Sequence, residues 1–379
     1  MTTLRLTCVA GARPNFVKAA ALLHEMGRRP HLSVQLVHTG QHSSPEMSGN
    51  LFDDLELPPP DVSLDVSPGT PTAKTAEMMC RLGDLFRATR PDAVLVVGDV
   101  NSTLAAALAA SQLGIPIAHV EAGPRSHDRT MPEELNRIVT DALSDHLFAT
   151  EPEAVENLRR EGIPGRRVHL VGNVMIDTLL RFRAKASRSH VLERLGLSRR
   201  CYVLATLHRP SNVDEAGRLA DLTGVLAEIG RRLPVVFPVH PRTRQRLDDS
   251  RLSAPGVILI APLGYLDFMR LTAESRLVMS DSGGIQEETT ILGVPCLTLR
   301  QNTERPITIS EGTNELVGVE PAKILAAAVA ALGRPRPEPR RPVLWDGQAS
   351  ARVLDVLENA LNQTPRSTYH LRRAVPIPF

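Results

Sequence analysis

Three carboxylates in this 379-residue chain stand where acid–base chemistry could be done. Asp99 follows the apolar run AVLVVG at 93–98, Glu121 ends IPIAHVE at 115–121, and Glu133 follows Pro132 at the start of a helical stretch. A carboxylate directly after a buried strand faces a cleft, where desolvation raises its pKa and makes it a useful acid or base. Helix capping competes as an explanation of Asp99 and is the stronger reading for Asn101 and Ser102. The macrodipole of a helix starting at Pro132 accounts for one of Glu133 and Glu134, but not for Glu121. Three carboxylates converging on one cleft imply a metal site or proton transfer. With no DxD and no second ligand cluster, proton transfer is favoured and no metal is expected.

Cations and glycine turns accompany these acids. GARPNFVKAAALL at 11–23 is a glycine turn into a helix, with Arg13 and Lys18 placed to hold phosphate. Taken alone, Arg13 reads equally well as the partner of a surface carboxylate. Further on, His208 with Arg209, and His240 with Arg242 and Arg244, fall at successive strand ends. Either histidine alone could be a satisfied core or cap residue; two in succession, each followed by arginine, point to a site. Ser282, Gly283 and Gly284 open another helix, where main-chain N–H groups can cradle a diphosphate and Glu287 or Glu288 can take ribose hydroxyls. The glycine spacing is not the dinucleotide fingerprint, and no Walker A lysine is present. A nucleotide diphosphate sugar therefore fits better than NAD or ATP.

The elements that must position these groups form two series. Short apolar runs at 4–10, 34–39, 93–98, 115–121, 146–150 and 168–172 alternate with amphipathic stretches, and a second set follows at 202–207, 235–240, 257–262, 277–280, 295–299 and 315–318. Such alternation predicts parallel sheets covered on both faces, hence two doubly wound α/β domains. The boundaries are placed at 1–175 and 176–347, with a helix over 348–363 carrying Leu354, Leu357 and Leu361 on one face and packing back on the first domain. GRPRPEPRRP at 333–342 is expected as a surface crossing and 364–379 as an exposed tail.

Net charge is +2 with mixed signs, so no basic stripe suggests nucleic acid. No segment reads as a signal peptide or membrane span, and a cytoplasmic protein is expected. Cys8, Cys80, Cys201 and Cys296 have no paired spacing and sit in apolar runs, predicting buried thiols with neither disulfide nor zinc.

GARPNFVK, TGQH, GDVNSTLA, VEAGPRSHDRTMPEELNR, LHRPSNVD, PVHPRTR, SDSGGIQEE and NTERP follow one another in this order. Together they resemble the non-hydrolysing UDP-N-acetylglucosamine 2-epimerases, from about residue 5 to residue 350. The resemblance implies GT-B architecture, two Rossmann-like domains facing each other across a cleft. It also implies interconversion of UDP-N-acetylglucosamine and UDP-N-acetylmannosamine by anti elimination of UDP and its re-addition to a 2-acetamidoglucal, without redox cofactor or metal. Asp99, Glu121 and Glu133 match the family's catalytic carboxylates, and His208 the residue beside the leaving diphosphate. Arg13, Lys18, Ser282, Gly283 and Gly284 match phosphate contacts, and Glu287 the ribose carboxylate. Gln41, His42, Arg125, Arg209, Asn212, His240, Arg242 and Arg305 complete the implied substrate contacts, and a homodimer is the implied assembly.

Departures from the family text are Val100 in place of threonine, Pro124 in place of leucine, and Ser43 in place of an aromatic. The last leaves open the activation of many bacterial members by a second UDP-N-acetylglucosamine. A UDP-2,3-diacetamido-uronic acid is the nearest alternative substrate; Glu288 and the Arg305–Pro306 pair favour UDP-N-acetylglucosamine. A GT-B glycosyltransferase, a hydrolysing epimerase and a catalytically silent sensor are the further alternatives, and the three carboxylates weigh against the first and last.

Overall fold

A computed structural model describes residues 3–40, 51–239, 241–249 and 255–363. The chain divides into two compact units, residues Met1–Thr178 with Val343–Phe379, and residues Leu179–Pro342.

Each unit is built on a parallel sheet. In the first, β1 (Leu4–Ala10), β2 (Leu32–His38), β3 (Val62–Ser63), β4 (Ala93–Val97), β5 (Ile117–Ala122), β6 (His146–Ala149) and β7 (Val168–Leu170) lie in the order β3-β2-β1-β4-β5-β6-β7. In the second, β8 (Val203–Thr206), β9 (Val235–Pro238), β10 (Val257–Ile260), β11 (Leu277–Ser280), β12 (Cys296–Thr298) and β13 (Asn314–Leu316) lie in the order β10-β9-β8-β11-β12-β13. Every residue of β4, β5, β8 and β11 is buried, which is why these strands read as continuous rather than alternating apolar runs. Both units thus have the doubly wound α/β fold. The two-residue β3 is too short to leave an apolar signature.

Strand order reverses direction between β1 and β4 in the first unit and between β8 and β11 in the second. Open α/β sheets bind ligands outside the carboxyl ends of strands at such switch points. The segments leaving these four strands are Gly11–Arg13, Gly98–Asp99, Leu207–Arg209 and Asp281–Gly283.

Packing explains why the loops hold their places. The alanine-rich helix Asn101–Gln112 buries Ala105, Ala106, Ala109 and Ala110, side chains small enough to admit Met78, Leu82 and Phe86 of the helix Pro71–Thr89. In the second unit Phe237, Met279, Leu297 and Leu226 are buried in one cluster, each side chain of this size contributing roughly 1.5–3 kcal/mol on burial. The final described helix, Ala349–Gln363, buries Leu354, Leu357 and Leu361 and packs on the helix Arg13–Met26, where Arg29 donates to Glu358 at 2.8 Å. The single tryptophan, Trp345, is fully buried and donates to Thr150 O at 3.2 Å. Here the chain crosses Gly172, at φ +88°, where a Cβ would meet Leu344 O at 2.0 Å; only glycine fits.

Cysteine burial corrects one expectation. Cys8 and Cys296 are buried, whereas Cys80 and Cys201 are exposed. Cys80 lies on an outward face of a helix that buries only Met78, Leu82, Gly83 and Phe86, and Cys201 lies in the turn before β8. The expected tail at 364–379 lies outside the described residues. No helix among the described residues is long and apolar enough to cross a membrane.

Candidate active site

The first unit brings Asp99 and Glu121 together through two buried cations. Gly11 makes the turn after β1: a Cβ there would lie 1.9 Å from Thr39 Oγ1 and 2.1 Å from Ser102 Oγ, which hydrogen-bond each other at 2.7 Å. The helix that follows is tied to β4 by Asn15 Nδ2, donating to Val97 O at 2.6 Å, and presents Lys18 Nζ to Glu121 Oε2 at 2.5 Å. Arg137, fully buried in the helix Pro132–Leu143, donates from Nη2 to Glu121 Oε1 at 3.2 Å and to Asp99 Oδ2. Asn136 of the same helix donates to Asp99 O at 2.9 Å and to Asn101 Oδ1 at 3.1 Å.

Two carboxylates and two cations therefore form one group at the switch point. The acids are not held alone in apolar surroundings, as a reading from desolvation expects; each has a compensating cation. Lys18, expected as a phosphate contact, is within bonding distance of Glu121.

Backbone strain places Glu121. Its φ is +71°, and the register between β5 and β6 shifts between Val120 and Ala122. A non-glycine residue in this region costs on the order of 1–3 kcal/mol and persists only where surroundings dictate it. Lys18 and Arg137 are those surroundings.

Glu133 stands half-buried on the first turn of the helix Pro132–Leu143. The buried neighbour is Glu134, which accepts from Ser126 N at 2.8 Å, Ser126 Oγ at 3.0 Å and His127 N at 3.1 Å. Of the adjacent pair, then, Glu134 holds a loop.

Arg125 belongs to another group. It donates to Asp141 Oδ2 at 2.6 Å and to Glu161 through Nε and Nη2, each at 2.7 Å, and does not join Asp99 and Glu121. Asp141, fully buried, also receives Gly123 N at 3.2 Å and His119 Nδ1 at 2.7 Å, while His119 Nε2 donates to Gly98 O at 2.8 Å. Both ring nitrogens of His119 face oxygen acceptors. Burial pushes the Asp141 pKa up, but the charges and hydrogen bonds of His119 and Arg125 outweigh it and hold it below the usual value. Asp141 thus joins the loop after β4 to the loop after β5.

The second unit is organised by a residue absent from the sequence candidates. Asp281, buried at the end of β11, accepts His208 N at 3.1 Å, Arg209 N at 3.0 Å and Asn212 Nδ2 at 3.0 Å, and pairs with His208 Nδ1 at 2.9 Å. His208 is thereby oriented, with 57% of its side chain exposed. Burial raises the Asp281 pKa, and the hydrogen bonds and charge of His208, with Asn212 and Arg209, bring it below the ordinary value. Like Asp99, Asp281 is a carboxylate directly after a buried strand, and that signal is present in the sequence.

The helix Gly283–Leu292 starts at Ser282 with no side chain capping it, and a Cβ on Gly283 would meet nothing within 4 Å. Such an uncapped start presents N–H groups and positive dipole to an anion. Nearby Glu287, fully buried, accepts Arg305 Nε at 2.5 Å, and Glu304 takes Arg300 at 3.2 Å and Arg209 at 3.4 Å. Burial first, and then Arg209, lower the Arg300 pKa against the pull of Glu304. Arg13 is half-buried at the first position of its helix. Gln41, His42 and His240, and the side chain of Arg242, lie outside the described residues.

Acid stability follows from the two depressed aspartates. A carboxyl with a folded-state pKa below its unfolded value of about 3.9 adds stability above that pH and loses it as pH falls through the folded value. The melting temperature is therefore expected to fall steeply below about pH 4. In Asp281→Asn it should be lower at pH 7 but flatter in acid, as calorimetry from pH 3 to 7 will show; an acid slope unchanged from wild type would refute the assignment.

Two doubly wound units with charged groups at their switch points are the architecture of the GT-B class. The chain belongs to the UDP-N-acetylglucosamine 2-epimerase family, whose model matches residues 24–358. It is similar to the UDP-N-acetylglucosamine 2-epimerase of Methanocaldococcus jannaschii, solved in complex with UDP-GlcNAc and UDP, at 37% identity and a TM-score of 0.88, covering 94% of this chain and 100% of that one. The enzyme of Neisseria meningitidis bound to UDP-GlcNAc superposes with a TM-score of 0.86 at 30% identity, covering 94% and 100%. The UDP-2,3-diacetamido-2,3-dideoxy-D-glucuronate 2-epimerase of Pseudomonas aeruginosa is 40% identical over 93% of this chain and 99% of its own length.

Proposed function

We propose that this protein is a non-hydrolysing epimerase that interconverts UDP-N-acetylglucosamine and UDP-N-acetylmannosamine. One observation carries the chemistry: two carboxylates, Asp99 and Glu121, held at a switch point by Arg137 and Lys18. A base takes the C2 proton, the C1–O bond breaks with its electrons leaving on UDP, and a 2-acetamidoglucal forms. UDP then re-adds at C1 while an acid returns a proton to the opposite face of C2. Asp99, Glu121 and Glu133 are assigned the proton transfers.

In the second unit the start of the helix Gly283–Leu292 is assigned the diphosphate, with His208 and Arg209 compensating the leaving charge. Arg305, bonded to Glu287, orients that carboxylate for the ribose. A diphosphate leaves with little need of protonation, so fixed positive groups do more here than an acid would.

Incubation with UDP-N-acetylglucosamine in heavy water, followed by proton NMR, tests the reading. Deuterium should enter at C2, both UDP-sugars should accumulate, and no free hexosamine should appear. Absence of C2 exchange would sink the elimination mechanism, and release of free N-acetylmannosamine would make the enzyme a hydrolysing one. The identity to the Pseudomonas enzyme supports a second substrate reading. Parallel incubation with UDP-2,3-diacetamido-2,3-dideoxy-glucuronate decides it: faster exchange there would replace the substrate assignment.

A further inference from the structure

The cations of the proposed site lie at the carboxyl ends of strands. Another arginine group lies at the opposite end of the second unit's sheet, where Arg200 precedes β8 and Glu274 precedes β11. A cavity of about 470 Å³ is lined there by Arg183, Arg199, Arg200, Arg270, Arg336 and Glu274. The volume is within the roughly 300–1,000 Å³ of small-molecule sites.

Its charges do not balance. Glu274 is buried and serves two guanidiniums, accepting Arg199 Nε at 2.6 Å and Nη2 at 2.8 Å and pairing with Arg270 Nη1 at 3.0 Å. Arg336 is committed to main-chain carbonyls, donating to Gly293 O at 2.7 Å, Leu292 O at 2.8 Å and Ala273 O at 3.0 Å. The side chains of Arg183 and Arg200 have no hydrogen-bond or ion-pair partner among the described residues. Five arginines against Glu274 and the rim residue Glu338 leave a net charge of 5 − 2 = +3 on the lining.

Two further features mark the crowding. Arg336 has a lowered pKa, through burial first and then the charge of Arg200, with Arg183 also contributing, against the pull of Glu274 and Tyr202. Arg200 is held at φ +60°, and its N–H donates to Glu274 O at 2.7 Å. That left-handed conformation disfavours any side chain with a Cβ. Glu274 thus anchors an unpaired guanidinium at the cavity wall.

We propose that this cavity is a second anion site, taking a compact phosphorylated small molecule, with Arg183 and Arg200 as its principal contacts. Planar guanidinium forks match phosphate oxygens, and a ligand of two or more negative charges offsets the surplus. The lining also draws on both segments adjoining the chain's crossings between units, Arg183 on the helix Val174–Ala186 and Arg336 shortly before Pro342. An occupant would tie these two stretches of the second unit together.

Calorimetric titration of the full chain with pyrophosphate, in the presence of saturating UDP, tests this. One equivalent of pyrophosphate should bind per chain, and the double variant Arg183→Ser, Arg200→Ser should bind it at least about tenfold more weakly with unchanged UDP affinity. Inorganic phosphate and glucose 1-phosphate, titrated separately, distinguish a bare anion site from one that takes an ester. No pyrophosphate binding beside UDP, or equal binding by the double variant, would overturn the proposal. Failure of UDP itself to bind would count against the proposed function instead, and wild type and variant would still be compared with pyrophosphate alone. Both arginines are exposed and unpaired, so the variant should fold, which its melting curve will show.

Discussion

Glu121→Gln is expected to lower turnover by roughly 10²–10⁴-fold, the usual contribution of a positioned acid or base. The substitution keeps the shape of the side chain and removes its charge from between Lys18 and Arg137. Arg137 would keep the charge of Asp99 while Lys18 would face a neutral amide, and the φ of +71° at position 121 would lose its strongest restraint. The fall should appear in kcat, because UDP is assigned to groups of the second unit; its dissociation constant should move less than about threefold. Asp99→Asn should fall in the same range. Turnover near wild type in Glu121→Gln would remove Glu121 from the mechanism, whereas a large loss of UDP affinity would make its role one of binding.

Asp141→Ala is expected to be strongly destabilising. It deprives His119 and Arg125 of a shared, fully buried carboxylate. Removing one partner of a buried ion pair costs about 3–5 kcal/mol; Arg125 keeps Glu161, so the loss falls mainly on His119 and on the N–H of Gly123. For a domain of this size that corresponds to a melting temperature lower by roughly 6–20 °C. Turnover should fall as well, since His119 ties the carbonyl of Gly98, next to Asp99, and Gly123 N bonds the same carboxylate close to Glu121. Asp141→Asn can still accept from His119 and should recover part of both losses. A melting temperature within about 2 °C of wild type in Asp141→Ala would refute the network as a source of stability.

The catalytic candidates were legible because they follow buried strands. Asp99 and Glu121 stand out as charges closing apolar runs, and the same signal was present at Asp281. Arg137 was visible as one charge among many in the stretch 119–137. Nothing local distinguishes it from Arg125, yet one reaches Asp99 and Glu121 and the other reaches Asp141 and Glu161. Similarly, Glu133 and Glu134 are adjacent, and their exchange of burial depends on helix phase and on where the loop at Ser126 passes.

By itself the sequence determined the alternation of strand and helix in two series, and which side chains leave the carboxyl ends of the strands. These are local properties, set by apolar periodicity and by glycine and proline at the turns. Tertiary structure alone decided how the charges pair. Lys18, Asp99, Glu121 and Arg137 come from separate elements, and the 2.5 Å contact of Lys18 with Glu121 exists only because β1, β4 and β5 are neighbours in the sheet. Coulomb energy depends on distance in space and on burial, neither of which a linear spacing encodes. The strained φ of Glu121 is the same case: a bulge between two strands is a property of their pairing and belongs to neither strand alone.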